Sequence, residues 1–453
     1  MKTIATLFKG FDRSIPFLLS NTLIIVPFIL YLSLSDGEHI YTILPFVLFY
    51  TFRMTAIFLI RGLQTTLNNY TILVVALGLG GFGSFLGILG SVNPLFFTLS
   101  GALLGFSAAW FTPAYLTMSY QHKEQKLTGY SNPNYLWVLI FLIALILPMS
   151  TSGTLKIPLT LGIYTLLFLF AYRSIKTYPH QKFPMKKPEH ALIAKKELSL
   201  FIGFFVLLLL LRSSRLLINQ DVLLLTLIGV TLLFMISIWS LSQSKKYWKL
   251  PLWLNLLTFL NGMFGNLLFL FCSLYIKAVY GGGKVTLYLY LPYVLGLFLA
   301  MFLTKKVHRL FPKTNPLYIQ LAGLGLGFVA FLLPIYLPFT LFILSFFRNG
   351  TSSWLNQTYY DTSELPSDRR IAIKFTTQNK GSMTHQFLSM LLILAFILIY
   401  RLPLDTFFGL TDYDATATQT ILLMQTVKNC LCVLSLILVA YVAYILPKTD
   451  TDQ

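Results

Sequence analysis

RSIKTYPHQKFPMKKPEHALIAKKE, residues 173–197, carries seven Lys or Arg against two Glu, and its three prolines stop any helix from running through it. Outward from it on the C-terminal side come two apolar runs, 198–217 and 222–241, and then a second short basic stretch, SKKYWK at 244–249. Each run is close to the ~20 residues that a helix needs to cross the hydrocarbon of a bilayer. Two crossings return the chain to the side it left, so both basic stretches face the same compartment. Six further apolar runs lie on either side of this central unit. The expected fold class is therefore an all-α polytopic membrane protein of about fourteen transmembrane helices. It divides into a six-helix bundle over 1–173, basic linkers with two extra helices over 174–250, and a second six-helix bundle over 251–453.

Composition demands the same class. With 56% hydrophobic and 11% charged residues and a mean hydropathy of +0.73, the chain has too few polar residues to cover a soluble domain. Backbone groups in lipid must be satisfied within the segment, which selects helices. The unbroken runs exclude the ten-residue alternating strands of a membrane barrel. The first apolar run lacks an A-x-A-like cleavage site and is followed at once by further runs, so it reads as a span and not as a signal peptide. A net charge of +19 raises the question of nucleic acid, but the cations gather in loops that alternate along the chain, as membrane orientation by positive charge requires. No nucleic-acid partner is expected; the bilayer is.

The alternation can be followed loop by loop. Lys2, Lys9 and Arg13 precede a first span of about 15–35, and Asp36 to His39 form an acidic turn, so the N-terminus is placed in the cytoplasm. Spans follow at 40–60, 74–90, 95–120, 135–150 and 157–172. Basic segments recur at Lys123 and Lys126, at Lys305 to Lys313, and from Asp368 to Lys380, while 402–418 is acidic. A last span at 419–446 leaves the C-terminus cytoplasmic as well, in a multi-pass protein of the cell (plasma) membrane. The pairs Gly83/Gly87, Gly101/Gly105 and Gly323/Gly327 each bare one helix face for close packing.

In order and spacing, YTFRMTAIFLIRGLQTT (50–66), SGALLGFSAAWFTPAYL (100–116), LNGMFGNLLFLFCSLYIKAVYGGG (260–283), LPYVLGLFLAMFLTKKVHRLFPK (291–313) and NGTSSWLNQTYYDTSELPSDRRIAIKFTTQNKGSM (349–383) resemble the major facilitator superfamily, in particular its fourteen-span branch of drug and proton antiporters. That resemblance implies two bundles related by pseudo-symmetry and a central cavity that opens alternately to each side. In this sequence Gly62 keeps the glycine of the family's loop after span two, Thr66 stands at its Asp, and Gly101 stands at the fourth-span arginine.

Charge inside the spans narrows the chemistry. All fifteen Asp and Glu fall in predicted loops, tails or span ends. A carboxylate proton relay at mid-membrane is therefore missing. His385, placed at the start of span thirteen, is the nearest titratable substitute. Arg53 lies about eight residues, roughly 12 Å, from the inner end of span two. It reads either as an arginine bonded to neighbouring helices or as a holder for an anionic head group. Arg212 and Arg215 sit at a span end, where side chains reach the interface. The other candidate lining residues are Asn21, Trp110, Tyr115, Asn261, Asn266, Asn356 and Gln357, each asparagine having the alternative of a plain interhelical hydrogen bond.

Cys272, Cys430 and Cys432 show no metal-ligand spacing, and Gly281 to Gly283 lack the strand and G-K-[ST] of a phosphate loop, so neither cofactor nor enzymatic activity is expected. The expectation is a secondary active transporter that exports an amphipathic small molecule by alternating access. The alternatives are a flippase or carrier for an anionic lipid-like substrate and a transport-incompetent membrane scaffold.

Overall fold

The computed structural model describes residues 2–34, 40–63, 68–126, 133–150, 155–178, 195–213, 228–229, 232, 250–333, 336–362, 365, 369–403, 405–408, 410 and 418–446. Every regular element among the described residues is helical. Among the described residues, eight helices are long and apolar enough to cross a membrane, and a ninth span forms if the bent pair Arg13–Thr22 and Ile25–Leu34 counts as one. Two shorter apolar helices, Tyr135–Met149 and Pro316–Leu332, add to these. Most of the first basic linker, all of the second, most of the expected span 222–241 and Arg215 lie outside the described residues.

The helices group into two units, Met1–Thr226 with Leu365–Phe375, and Leu227–Glu364 with Thr376–Gln453. The first contains α1 (Lys2–Thr22), α2 (Ile25–Leu34), α3 (Ile40–Thr55), α4 (Ile57–Leu63), α5 (Asn69–Ile88), α6 (Pro94–Glu124), α7 (Tyr135–Ser150), α8 (Lys156–Lys176) and α9 (Lys195–Ser213). At its centre α6 packs against α3 and α5, and α8 covers α5. The glycine pairs make these contacts. A Cβ on Gly105 would stand 2.6 Å from the Phe49 carbonyl oxygen of α3, and one on Gly83 would stand 2.9 Å from Cβ of Leu103 in α6. Polar pegs reinforce the seam, with Ser107 Oγ donating to the Ala76 carbonyl (2.7 Å) and Ser100 Oγ to that of Gly83 (2.6 Å). The first helix after the long basic linker, α9, lies outside this centre. It stacks Phe204 on Phe58 (5.4 Å) and Phe205 near Phe52 (4.8 Å), and leaves Ile202 and Val206 exposed.

The second unit contains α10 (Leu252–Asn266), α11 (Cys272–Tyr280), α12 (Leu291–Leu310), α13 (Pro316–Leu332), α14 (Leu337–Asp361), α15 (Arg370–Ile399) from Thr376 onward, α16 (Asp405–Phe408) and α17 (Thr418–Ile445). Here α14 packs against α12 and α13, while α17 packs against α13 and α11. Local signals set the helix starts. Asn93 and Asn315 each cap the helix that opens with the next proline, accepting from the N–H of Leu95 and Leu317, both at 2.9 Å. Exposed apolar residues such as Leu136, Leu139, Ile143 and Leu147 line one side of α7, opposite buried Val138 and Leu145. That is how a helix divides between lipid and protein.

The first span bends by 49° between Thr22 and Ile25. Two expectations are corrected. The basic segment 368–380, expected as a loop, is helical from Arg370, so Lys374 is fully buried with its ammonium 4.4 Å from the Phe375 ring centroid. His385 accordingly stands midway along α15 and not at a span start. Charge density reads as loop in a hydropathy profile, whereas long cationic stems can be buried along a helix.

Candidate functional site

In the first unit the four predicted residues separate into two places. Arg53 is half-buried in the last turn of α3, its guanidinium 5.9 Å from the centroid of Tyr50. One turn on, the helix breaks at Ala56, and the Trp110 indole N–H donates to the Ala56 carbonyl at 2.8 Å. Trp110 therefore braces the break beside Arg53, and its polar atom is committed to backbone. Asn21 lies in the last turn of α1, just before the 49° bend, and spends its amide on the Phe17 carbonyl at 2.8 Å. The neighbouring Ser20 carbonyl accepts from Thr112 of α6 at 3.2 Å, and Tyr115 stacks on Phe111, rings 3° from parallel at 5.9 Å. Residues 110 and 112 lie about 200° apart around a helix. Trp110 and the α1 contact thus use different faces of α6, and Asn21 and Trp110 act as braces.

In the second unit the geometry is more concentrated. A Cβ on Gly262 of α10 would land on the Gln378 carbonyl of α15, and one on Gly381 would land on the Phe259 carbonyl, so the two helices cross with backbones in contact. Ser382 Oγ donates to the Gly262 carbonyl at 2.9 Å. His385 Nδ1 and Asn266 Oδ1 are 3.0 Å apart, both side chains buried. Directly after Asn266 the helix passes through a π turn, Leu267–Phe271, a distortion that often accompanies functional sites.

The other face of α10 meets α14. There Arg348, absent from the residues predicted, places its guanidinium over Gly265: a Cβ on that glycine would stand 2.6 Å from Nη2. Nε donates to the Asn261 carbonyl at 3.4 Å, and Nη1 to the Tyr293 hydroxyl and the Asn349 side-chain oxygen, each at 3.3 Å. Arg348 is the twelfth residue of α14, roughly 17 Å from its start at helical rise. The same count from Pro338 would have found it.

Several buried polar atoms here have no protein partner. They are both amide atoms of Asn261 (1% exposed), both of Gln386 (0%), Nε2 of His385 (1%), Oε1 of Gln378 and Oδ1 of Asn356. Each such group costs ~1–3 kcal/mol if nothing else bonds it. Gln357 is exposed and gives its amide to Asp361 at 2.9 and 2.8 Å. One residue is 100° around a helix, so Gln357 turns away from the face that carries Asn356.

No family model matches the sequence, and no curated protein matches it. Among solved structures, an auto-inhibited POT family peptide transporter is similar over 98% of this chain and 97% of its own, with TM-score 0.55 and 15% identity. The chain shares the fold of peptide transporters. A structure illustrating substrate recognition in proton dependent oligopeptide transporters is similar over 97% of each chain, with TM-score 0.56 and 11% identity. A bacterial homologue of the human drug peptide transporters PepT1 and PepT2 covers 97% of this chain and 98% of its own, at TM-score 0.52 and 13% identity. The likeness runs the full length of the chain. At such identities it is a likeness of fold. Against it, the buried polar atoms around α10, α14 and α15 are the part of the second unit best equipped to meet a solute.

Proposed function

We propose that the chain is a secondary transporter that moves an amphipathic small molecule across the plasma membrane by alternating access. The observation that carries this reading is the full-length fold likeness to transporters. Orphaned polar atoms inside the second unit support it, since a scaffold gains nothing from burying them. Export is favoured by the sequence resemblance to the drug and proton antiporter branch. Peptides, named for the structural neighbours, are the competing cargo. Arg53, Asn266, Asn356 and Tyr115 are the lining proposed beside Asn261, with Asn21 and Trp110 as braces.

The coupling proposed is not a carboxylate relay. Among the described residues, no Asp or Glu lies deeper than the terminal turn of a candidate span. A carrier for an anionic lipid-like substrate is the second reading, favoured by the cation Arg348 midway along α14, whose hydrogen-bond partners are all neutral.

The test is flux in proteoliposomes with an amphipathic amine, an amphipathic carboxylate, a dipeptide and a fluorescent phosphatidylglycerol, each with and without a pH gradient. Saturable flux of an amphipathic solute that persists after an ionophore collapses the gradient is expected. Flux of the lipid alone would favour the second reading. Folded protein that moves none of the four would overturn transport.

A further inference from the structure

The guanidinium of Arg348 stands in an unusual position. It is a fixed cation about 17 Å along α14, and none of its partners is an acid. Its three hydrogen bonds, at 3.3 to 3.4 Å, are long beside the 2.7–2.9 Å typical of charge-assisted bonds. All three acceptors are neutral: a main-chain carbonyl, a phenol and an amide. Nη2, over Gly265, makes none of these bonds. Intramembrane arginines are expensive and ordinarily meet a counter-charge or a polar cavity.

The second observation is independent of the first. Asn261 is 1% exposed, and neither its amide N–H nor its side-chain oxygen has a partner. Residues 261 and 265 are four apart on α10 and share a face. The orphaned amide is therefore on the face that Arg348 covers. A donor without an acceptor and a cation without an anion adjoin each other, and one ligand chemistry meets both needs. A planar guanidinium binds an oxyanion through two parallel N–H groups, and an amide N–H adds a third.

We propose that the second unit holds an oxyanion-binding site at Arg348, completed by Asn261, Tyr293 and Asn349, which takes the carboxylate or phosphate group of a small solute. The proposal deepens the transport reading by naming the charge of the cargo. Gly265 serves as a positioning residue, because its missing side chain is the space in which the guanidinium lies.

The experiment reads binding and not flux. Purified full-length protein in phosphatidylcholine nanodiscs is titrated with phenylacetate, with inorganic phosphate and with phenethylammonium, and the unfolding midpoint is followed. One or both anions should raise the midpoint saturably and the amine should not. Arg348→Gln should weaken the anion at least tenfold. Arg348→Lys, which keeps the charge and loses the fork, and Gly265→Ala, which displaces only the end of a flexible side chain, should weaken it several-fold while leaving the ligand-free midpoint near that of the parent. If the midpoint responds only when phosphatidylglycerol is added to the discs, and Arg348→Gln abolishes that response, the oxyanion chemistry stands with a lipid head group as its source. No response in any arm, or an anion response unchanged in Arg348→Gln and Gly265→Ala, overturns the site. That failure would leave transport standing, whereas intact binding without flux would sink transport alone.

Discussion

Alanine at Gly105 tests whether helix contact in the first unit depends on bare backbone. The new Cβ would lie 2.6 Å from the Phe49 carbonyl oxygen, 3.0 Å from Cβ of Phe52 and 3.1 Å from Cα of Phe49. The shortest of these falls 0.8 Å short of the 3.4 Å at which ordinary contact begins, and its partner is backbone that cannot rotate away. Overpacking of this kind costs about 1–3 kcal/mol. Alanine also favours the helix over glycine by about 1 kcal/mol, which offsets part of the loss. The offset is removed by a control, Gly78→Ala, on exposed Gly78 of α5, where a Cβ meets nothing within 4 Å. Only the propensity gain applies there, so the two variants should differ by about 1–3 kcal/mol, Gly105→Ala being the less stable. Unfolding by sodium dodecyl sulfate in mixed micelles, followed by tryptophan fluorescence, measures the difference. Two variants within about 0.5 kcal/mol of each other, inside the scatter of ordinary surface changes, would refute the claim that the α3 and α6 backbones touch.

Trp110→Phe keeps the ring against Phe106 but removes the N–H that bonds the Ala56 carbonyl at 2.8 Å, and should cost about 1 kcal/mol in the same unfolding assay. Lys428→Met should cost about 1–3 kcal/mol, because its ammonium donates at 2.8 Å to the Phe331 carbonyl near the end of α13 and no other group is shown to replace it. Gln357→Ala should leave transport of any identified solute within twofold in the liposome assay, since its amide is held at the exposed end of α14 by Asp361.

Much of the architecture was legible because hydropathy and charge sidedness are local free energies of transfer. The spans at 40–60, 95–120 and 157–172 reappear in the helices Tyr41–Ile60, Pro94–Glu124 and Lys156–Lys176. The glycine pairs were legible for a similar reason: four residues always return to one face, and Gly101, Gly105, Gly323 and Gly327 do meet neighbouring helices. What failed was the inference from charge to loop. Lys374 lies within a helix, and Arg348 stands inside the apolar run LFILSFFRNG, where residue order does not show which side chains it meets.

The sequence alone determined the class, an all-helical chain with segments long and apolar enough to cross a membrane, together with faces able to pack closely. These follow from residue type and spacing along one chain. Only the tertiary structure decided which polar residues are used up and which are left over. Asn21 and Asn261 are alike in sequence, yet Asn21 bonds Phe17 one turn away, while Asn261 stays unpaired beside an arginine 87 positions later. The physical reason is that a hydrogen bond or a counter-charge is satisfied by whatever lies within about 3 Å in space, and helix packing, not order along the chain, sets that neighbour.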